Sequence, residues 1–130
     1  FCFVTDLGHI TEKVSSYIEK ANYLILEANY DEEMLKGGHY PKFLKERITS
    51  PLGHLSNKTT AKFLAEHITE DLKYVWLCHL SGENNHPELA YKTVEYELRG
   101  VGVIPGVDVH VAALKRNSPS ELYEFELSEY

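Results

Sequence analysis

An α/β domain built on a largely parallel sheet is the fold class the sequence predicts, on three observations. Short apolar runs rich in aromatic and branched residues, Phe1–Thr5, Tyr23–Leu26 and Tyr74–Cys78, have the make-up of buried strands. Segments of helical periodicity separate them, the order that right-handed βαβ crossovers produce. Each run also gives way to an ionisable residue and then a polar loop: Asp6 after the first, Glu27 after the second and His79 after the third. In a parallel sheet all three carboxyl ends lie along one edge, where open α/β sheets hold ligands.

Taken in order, the first strand closes on Asp6-Leu7-Gly8-His9. Ile10, Val14, Tyr17, Ile18 and Ala21 then keep helical spacing, with Thr11 as a cap. The second strand closes on Glu27-Ala28-Asn29-Tyr30-Asp31. Glu32–Leu35 predicts a helical turn stopped by Gly37-Gly38, and Lys42–Ile48 a second short helix with Pro41 near its first turn. Lys36, Lys42, Lys45 and Arg47 make this the densest basic segment of the chain, a pattern that a solvated helical face accounts for. Gly53-His54-Leu55-Ser56-Asn57 forms a turn before a helix over Lys58–Ile68. His54 therefore precedes the helix that leads into the strand ending at His79, and both imidazoles can face one crevice. As a pattern alone, a turn histidine and a strand-end histidine are more often structural. After His79, Pro87 starts a helix through Ala90, Val94 and Leu98. Val107–Leu114 and Leu122–Leu127 alternate apolar with polar residues and predict a closing hairpin.

A length of 130 residues suits a single domain, residues 1–130, with a real core. The net charge of −7 argues against a broad, sequence-independent nucleic-acid surface but allows an acidic enzyme that holds phosphate at one metal-charged site. Cys2 and Cys78 sit in apolar runs with no motif around them. Free buried thiols and a cytoplasmic setting are expected, rather than a disulfide framework. No run reaches transmembrane length, so no membrane partner is expected. Phe1-Cys2-Phe3-Val4 begins the chain in mid-strand with no methionine, as a piece of a longer chain would.

Thr5-Asp6-Leu7-Gly8-His9, Leu26-Glu27-Ala28-Asn29-Tyr30-Asp31, Gly53-His54-Leu55-Ser56-Asn57 and Cys78-His79-Leu80-Ser81-Gly82-Glu83-Asn84-Asn85 together resemble the later motifs of the metallo-β-lactamase superfamily, in that family's order. The nearest likeness is to its YycJ-like (WalJ) branch, related to the tRNA 3′-processing endonucleases. The resemblance spans nearly the whole chain and about the carboxyl-terminal half of the family's catalytic domain. It implies half of an αββα sandwich, a mixed sheet with helices packed on it. It also implies roles: Asp6 as the carboxylate that bridges two metal ions, and His79 as the last ligand histidine. His54 would be the proton donor to the leaving group, and Glu27 the carboxylate that orients and charges it. Oxygen and nitrogen donors of this kind suit zinc or manganese, and a carboxylate beside an imidazole favours the imidazolium that a general acid needs. Here Leu26 stands where those relatives have a histidine, and His54-Leu55-Ser56 where they have His-Ser-Thr.

The family's His-x-His-x-Asp-His signature belongs upstream of Asp6, and none of the seven histidines has that spacing. With Asp6 and His79 as the only ligands, the expectation is two divalent metal ions in the intact parent and none tightly bound to this chain, which alone would be inactive. The resemblance implies a phosphodiesterase or nuclease that uses a two-metal-activated hydroxide on nucleic acid or a small phosphodiester. A non-catalytic α/β module is the rival reading, and a metallo-hydrolase of small esters, thioesters or lactams is another. A missing sandwich half would leave apolar surface and strand edges uncovered, so self-association is expected.

Overall fold

The computed structural model describes residues 1–126. Strands and helices alternate as β1 (Cys2–Val4), α1 (Glu12–Glu19), β2 (Tyr23–Glu27), α2 (Glu32–Gly37), α3 (Lys42–Thr49), α4 (Asn57–His67), β3 (Tyr74–Cys78), α5 (Pro87–Gly100) and β4 (His110–Ala113). The four strands form one sheet in chain order, β1-β2-β3-β4. All three pairings are parallel, where the resemblance implied a mixed sheet. Among the described residues no helix is long and apolar enough to cross a membrane.

The period of two along each strand divides the sheet into unlike faces. Cys2, Leu24, Val75 and Val111 stand in register, as do Val4, Leu26, Leu77 and Ala113. These rows meet Ile18 of α1, Ala61 and Leu64 of α4, and Ala90, Val94 and Leu98 of α5 in one apolar cluster, so the three helices cover this face. The other face carries the row Phe3, Ile25, Trp76 and Ala112. At its β1 side Phe1 and Phe3 are 75% and 60% exposed. Near its centre Trp76 is covered, with the rings of Tyr123 and Phe125 set edge-on to it.

Thr11 caps α1 as predicted, accepting from Val14 N–H. Ser56 caps α4 in the same way, accepting from Thr59 N–H, a cap the sequence reading did not name. The basic segment of α2 and α3 has a structural use. Lys45 donates from Nζ to the carbonyls of Lys36 and Gly38, closing the end of α2.

The closing hairpin does not form. His110–Ala113 pairs in parallel with β3, because α5 is a full crossover helix that returns the chain in the direction of the other strands. Residues 121–126 form no strand; Tyr123 and Phe125 lie on the aromatic face instead, and Leu127 falls outside the described residues. Alternation there marks two rings packing on a sheet, not a place within one.

Two glycines draw the carboxyl edge together. A Cβ at Gly53 would lie 2.1 Å from Ile48 O, and one at Gly8 would lie 2.4 Å from both Ser50 O and Pro51 O. The loops bearing Asp6 and His54 thus both pack on the end of α3, at a separation that only glycine permits. Gly53→Ala is expected to lower stability by roughly 1–3 kcal/mol through overpacking. Gly37→Ala, at a helical position with nothing within 4 Å, is expected to raise it by up to about 1 kcal/mol. Urea denaturation of both variants checks the pair.

Candidate metal centre

Asp6, Glu27, His54 and His79 each offer a donor atom within 4.8 Å of the other three. The four reach this point from separate segments: the loop after β1, the last residue of β2, the turn before α4 and the residue after β3. Parallel register is what gathers them, since Glu27 lies beside Cys78 and the strand ends face one edge.

Glu27 is the hub and is wholly buried. Its Oε1 lies 3.1 Å from His54 Nδ1 and in closer contact still with His79 Nδ1. Its Oε2 accepts from Leu55 N–H at 3.4 Å. Its own backbone carbonyl accepts from Thr60 Oγ1 at 2.6 Å. Asp6 is exposed and stands across the cluster, Oδ1 being 3.4 Å from His79 Nδ1 and 3.9 Å from His54 Nδ1. The two imidazole rings meet edge to face at 5.1 Å between centroids. With both Nδ1 atoms turned to Glu27, Nε2 of each ring is left for other partners.

Asp6 and His79 share a backbone peculiarity. Among the described residues they are the non-glycine residues with positive φ, at 59° and 57°. A side-chain-bearing residue in that region costs on the order of 1–3 kcal/mol and persists only where its surroundings hold it. Asn29 Nδ2 donates to His79 O at 2.8 Å, and Ser81 N–H to Asn29 O at 2.7 Å, fixing the turn after β3.

Beneath the cluster lies a buried amide pair. Asn57 and Asn85 exchange side-chain hydrogen bonds at 2.8 Å each, and Asn85 Nδ2 also reaches Ala28 O at 2.9 Å. This pair ties the loops after β2 and β3 to the start of α4. The sequence reading missed Asn57, Asn85 and Thr60 as positioning residues. Their one visible signal is polar residues crowded at three strand and helix ends.

The donor set corrects the expectation that this chain would hold no metal tightly. That expectation counted Asp6 and His79 as the only ligands. The fold adds Glu27 and His54 to the same point, giving two carboxylates and two imidazoles. A catalytic zinc site ordinarily takes three protein ligands, and a mixed oxygen–nitrogen set suits zinc or manganese, so the residues present fit a divalent ion.

Both cysteines are free, Cys2 half-buried and Cys78 buried. Burial, and then the charges of Glu27 and Asp6, push the Cys78 thiol from 9.0 up to about 11. It is a neutral neighbour of the cluster at ordinary pH, outside the donor set.

The exodeoxyribonuclease YycJ of Bacillus anthracis is 38% identical to this chain over 109 residues, covering 82% of the chain and 41% of that protein. The exodeoxyribonuclease WalJ of Streptococcus pneumoniae serotype 2 is 36% identical over 124 residues, covering 95% of the chain and 46% of that protein. The chain thus spans less than half the length of the curated relatives it matches. No protein-family model and no solved structure matches it.

Asn85→Ala leaves Ala28 O and the Asn57 amide without partners in a buried place, and is expected to cost about 1–3 kcal/mol in urea denaturation. Cys78 gives a pH signature. Its pKa is raised on folding, so its contribution is complete below the unfolded value near 9.0 and is lost as pH climbs through about 11. Between those pH values the protein is expected to lose more stability than Cys78→Ala does, measured as the two urea midpoints against pH.

Proposed function

Because this chain belongs to the branch of the YycJ and WalJ proteins, we propose that the protein it forms part of is a metal-dependent phosphodiesterase acting on DNA. The observation that carries the reading is the convergence of Asp6, Glu27, His54 and His79, two carboxylates and two imidazoles, at one sheet edge. In this reading Asp6 and His79 are ligands, Glu27 stands within reach of the same ion as the third protein ligand a catalytic site takes, and His54 is kept for the proton. A divalent ion bound there would supply an acidified water and offset phosphate charge.

Glu27 has two further tasks in this scheme. Its contact with His79 Nδ1 holds that ring with Nε2 outward, the arrangement in which a ligand histidine donates its other N–H to a carboxylate. Its contact with His54 Nδ1 stabilises the imidazolium, leaving Nε2–H to protonate the departing oxygen. Asp6 and His79 keep their donor atoms aimed at the cluster through positive-φ turns, which adjoining loops must hold in place.

The sheet is one half of an αββα sandwich in this reading. Support comes from the aromatic face opposite the helices, where Phe1 and Phe3 stand exposed. A sheet face of that composition suits burial against a second layer, and the same face is a route to self-association of this chain alone.

Metal content and turnover measured on the same preparations of the whole protein test the roles. His79→Ala is expected to lower both. His54→Ala is expected to keep the metal while turnover falls by roughly a hundredfold or more. That loss should shrink for a nitrophenolate leaving group, which needs little protonation. Loss of metal from His54→Ala, or equal slowing of good and poor leaving groups, would show that His54 is not the acid.

A further inference from the structure

A cavity of about 630 Å³ opens beside the cluster, and His54, Cys78 and His79 form part of its wall. Its other walls divide by chemistry. Tyr40, Leu44 and Ile48, from α3 and the turn before it, are apolar, whereas Lys115 and Arg116, on the loop after β4, are cationic. Among the described residues no Asp or Glu lines the cavity, although the chain has 20 acidic and 13 basic residues. Among the described residues neither Lys115 nor Arg116 makes an ion pair with a carboxylate.

Arg116 is also positioned by its neighbour. Its Nη1 lies 2.6 Å from where a Cβ on Gly82 would stand, so the guanidinium rests against bare backbone of the loop after β3. Two exposed cations that form no ion pair among the described residues, beside an apolar wall, form the complement of a molecule with an anionic end and a flat apolar end. The volume is within the range of pockets that hold small ligands, roughly 300–1,000 Å³.

We propose that this cavity seats one nucleotide of the DNA strand next to the scissile bond. Its phosphate lies on Lys115 and Arg116, and its base lies against Tyr40, Leu44 and Ile48. The inference rests on the phosphodiesterase reading and deepens it: the cluster cuts, and the cavity selects what lies beside the cut. Arg116 can grip phosphate through two parallel N–H donors and Lys115 as a point charge. The aromatic and aliphatic wall accepts any base, as stacking and apolar contact do.

Binding is measured without turnover, with metal removed by a chelator, by titrating a deoxynucleoside 5′-monophosphate, the matching deoxynucleoside and inorganic phosphate into the whole protein. The monophosphate is expected to bind more tightly than either of its parts. Lys115→Ala and Arg116→Ala should each weaken it roughly ten- to hundredfold. Gly82→Ala, which displaces the guanidinium without removing its charge, should weaken it less. Lys62→Ala, an exposed cation on α4, should leave it unchanged.

Oligonucleotides with and without a terminal 5′-phosphate then separate the two sources of the anion. An effect of the two variants on the phosphorylated end alone assigns a terminal phosphate, and an effect on both assigns an internucleotide phosphate. Either result supports the seat. No effect on either, or equal binding of inorganic phosphate and the monophosphate, overturns it. An unmutated protein that hydrolyses phosphodiesters but shows no such binding refutes the nucleotide seat alone. One that binds the monophosphate but hydrolyses nothing refutes the catalytic reading alone.

Discussion

A carboxylate with no exposure to solvent must find its compensation inside the protein, and Glu27 finds it in two imidazoles and one backbone N–H. Burying such a charge without partners costs several kcal/mol, so every element that supplies a partner is held to the position the carboxylate requires. The turn before α4 supplies His54 and Leu55, and the end of β3 supplies His79. Thr60, one turn into α4, secures the Glu27 carbonyl from below. β2 lies between β1 and β3, so the same carboxylate is flanked by the strand ends that present Asp6 and His79. The carboxyl edge has the shape it does because one buried charge sits in its middle.

The framework was largely legible in the sequence. Tyr74–Cys78 is a strand over the range predicted, and Thr11 and Pro87 begin helices where their chemistry says they should. Ionisable residues at successive strand ends place Asp6, Glu27 and His79 on one edge from the sequence alone. Two things were not legible. The direction of β4 depends on how α5 returns the chain, and alternation along Val107–Leu114 is the same for a parallel and an antiparallel neighbour. The size of the donor set was hidden because two imidazoles that share one carboxylate are a property of register. The resemblance pairs Glu27 with His54, but roles assigned one by one left that pair out of the count of donors around one point.

Charge shows the limit of whole-chain arithmetic. A net −7 argues against a broad anionic-polymer surface, and nothing about the fold contradicts that. Charge is nevertheless distributed locally, and among the described residues the cavity that Lys115 and Arg116 help to line has no carboxylate in its wall. Within a Debye length of roughly 10 Å, an arriving phosphate is governed by that wall and by the cluster beside it more than by the overall sum. The basic residues that looked densest in sequence, around α2 and α3, include one that closes a helix end. The two that line the cavity stood apart near the end of the chain.

The pairing of strands in chain order also bears on how the molecule comes into being. Every neighbour in the sheet is parallel, so no two strands can be joined by a tight turn, and each pairing must wait for a long excursion to close. Leu24 meets Val75 only after α2, α3 and α4 have all been traversed, and closing a loop of that length costs entropy before any ladder bond repays it. Chains dominated by such distant pairings fold slowly for their size. Glu27 and His79 meet across that same closure. The cluster therefore waits on the longest of these closures, and its appearance signals that the ends of β1, β2 and β3 have come together.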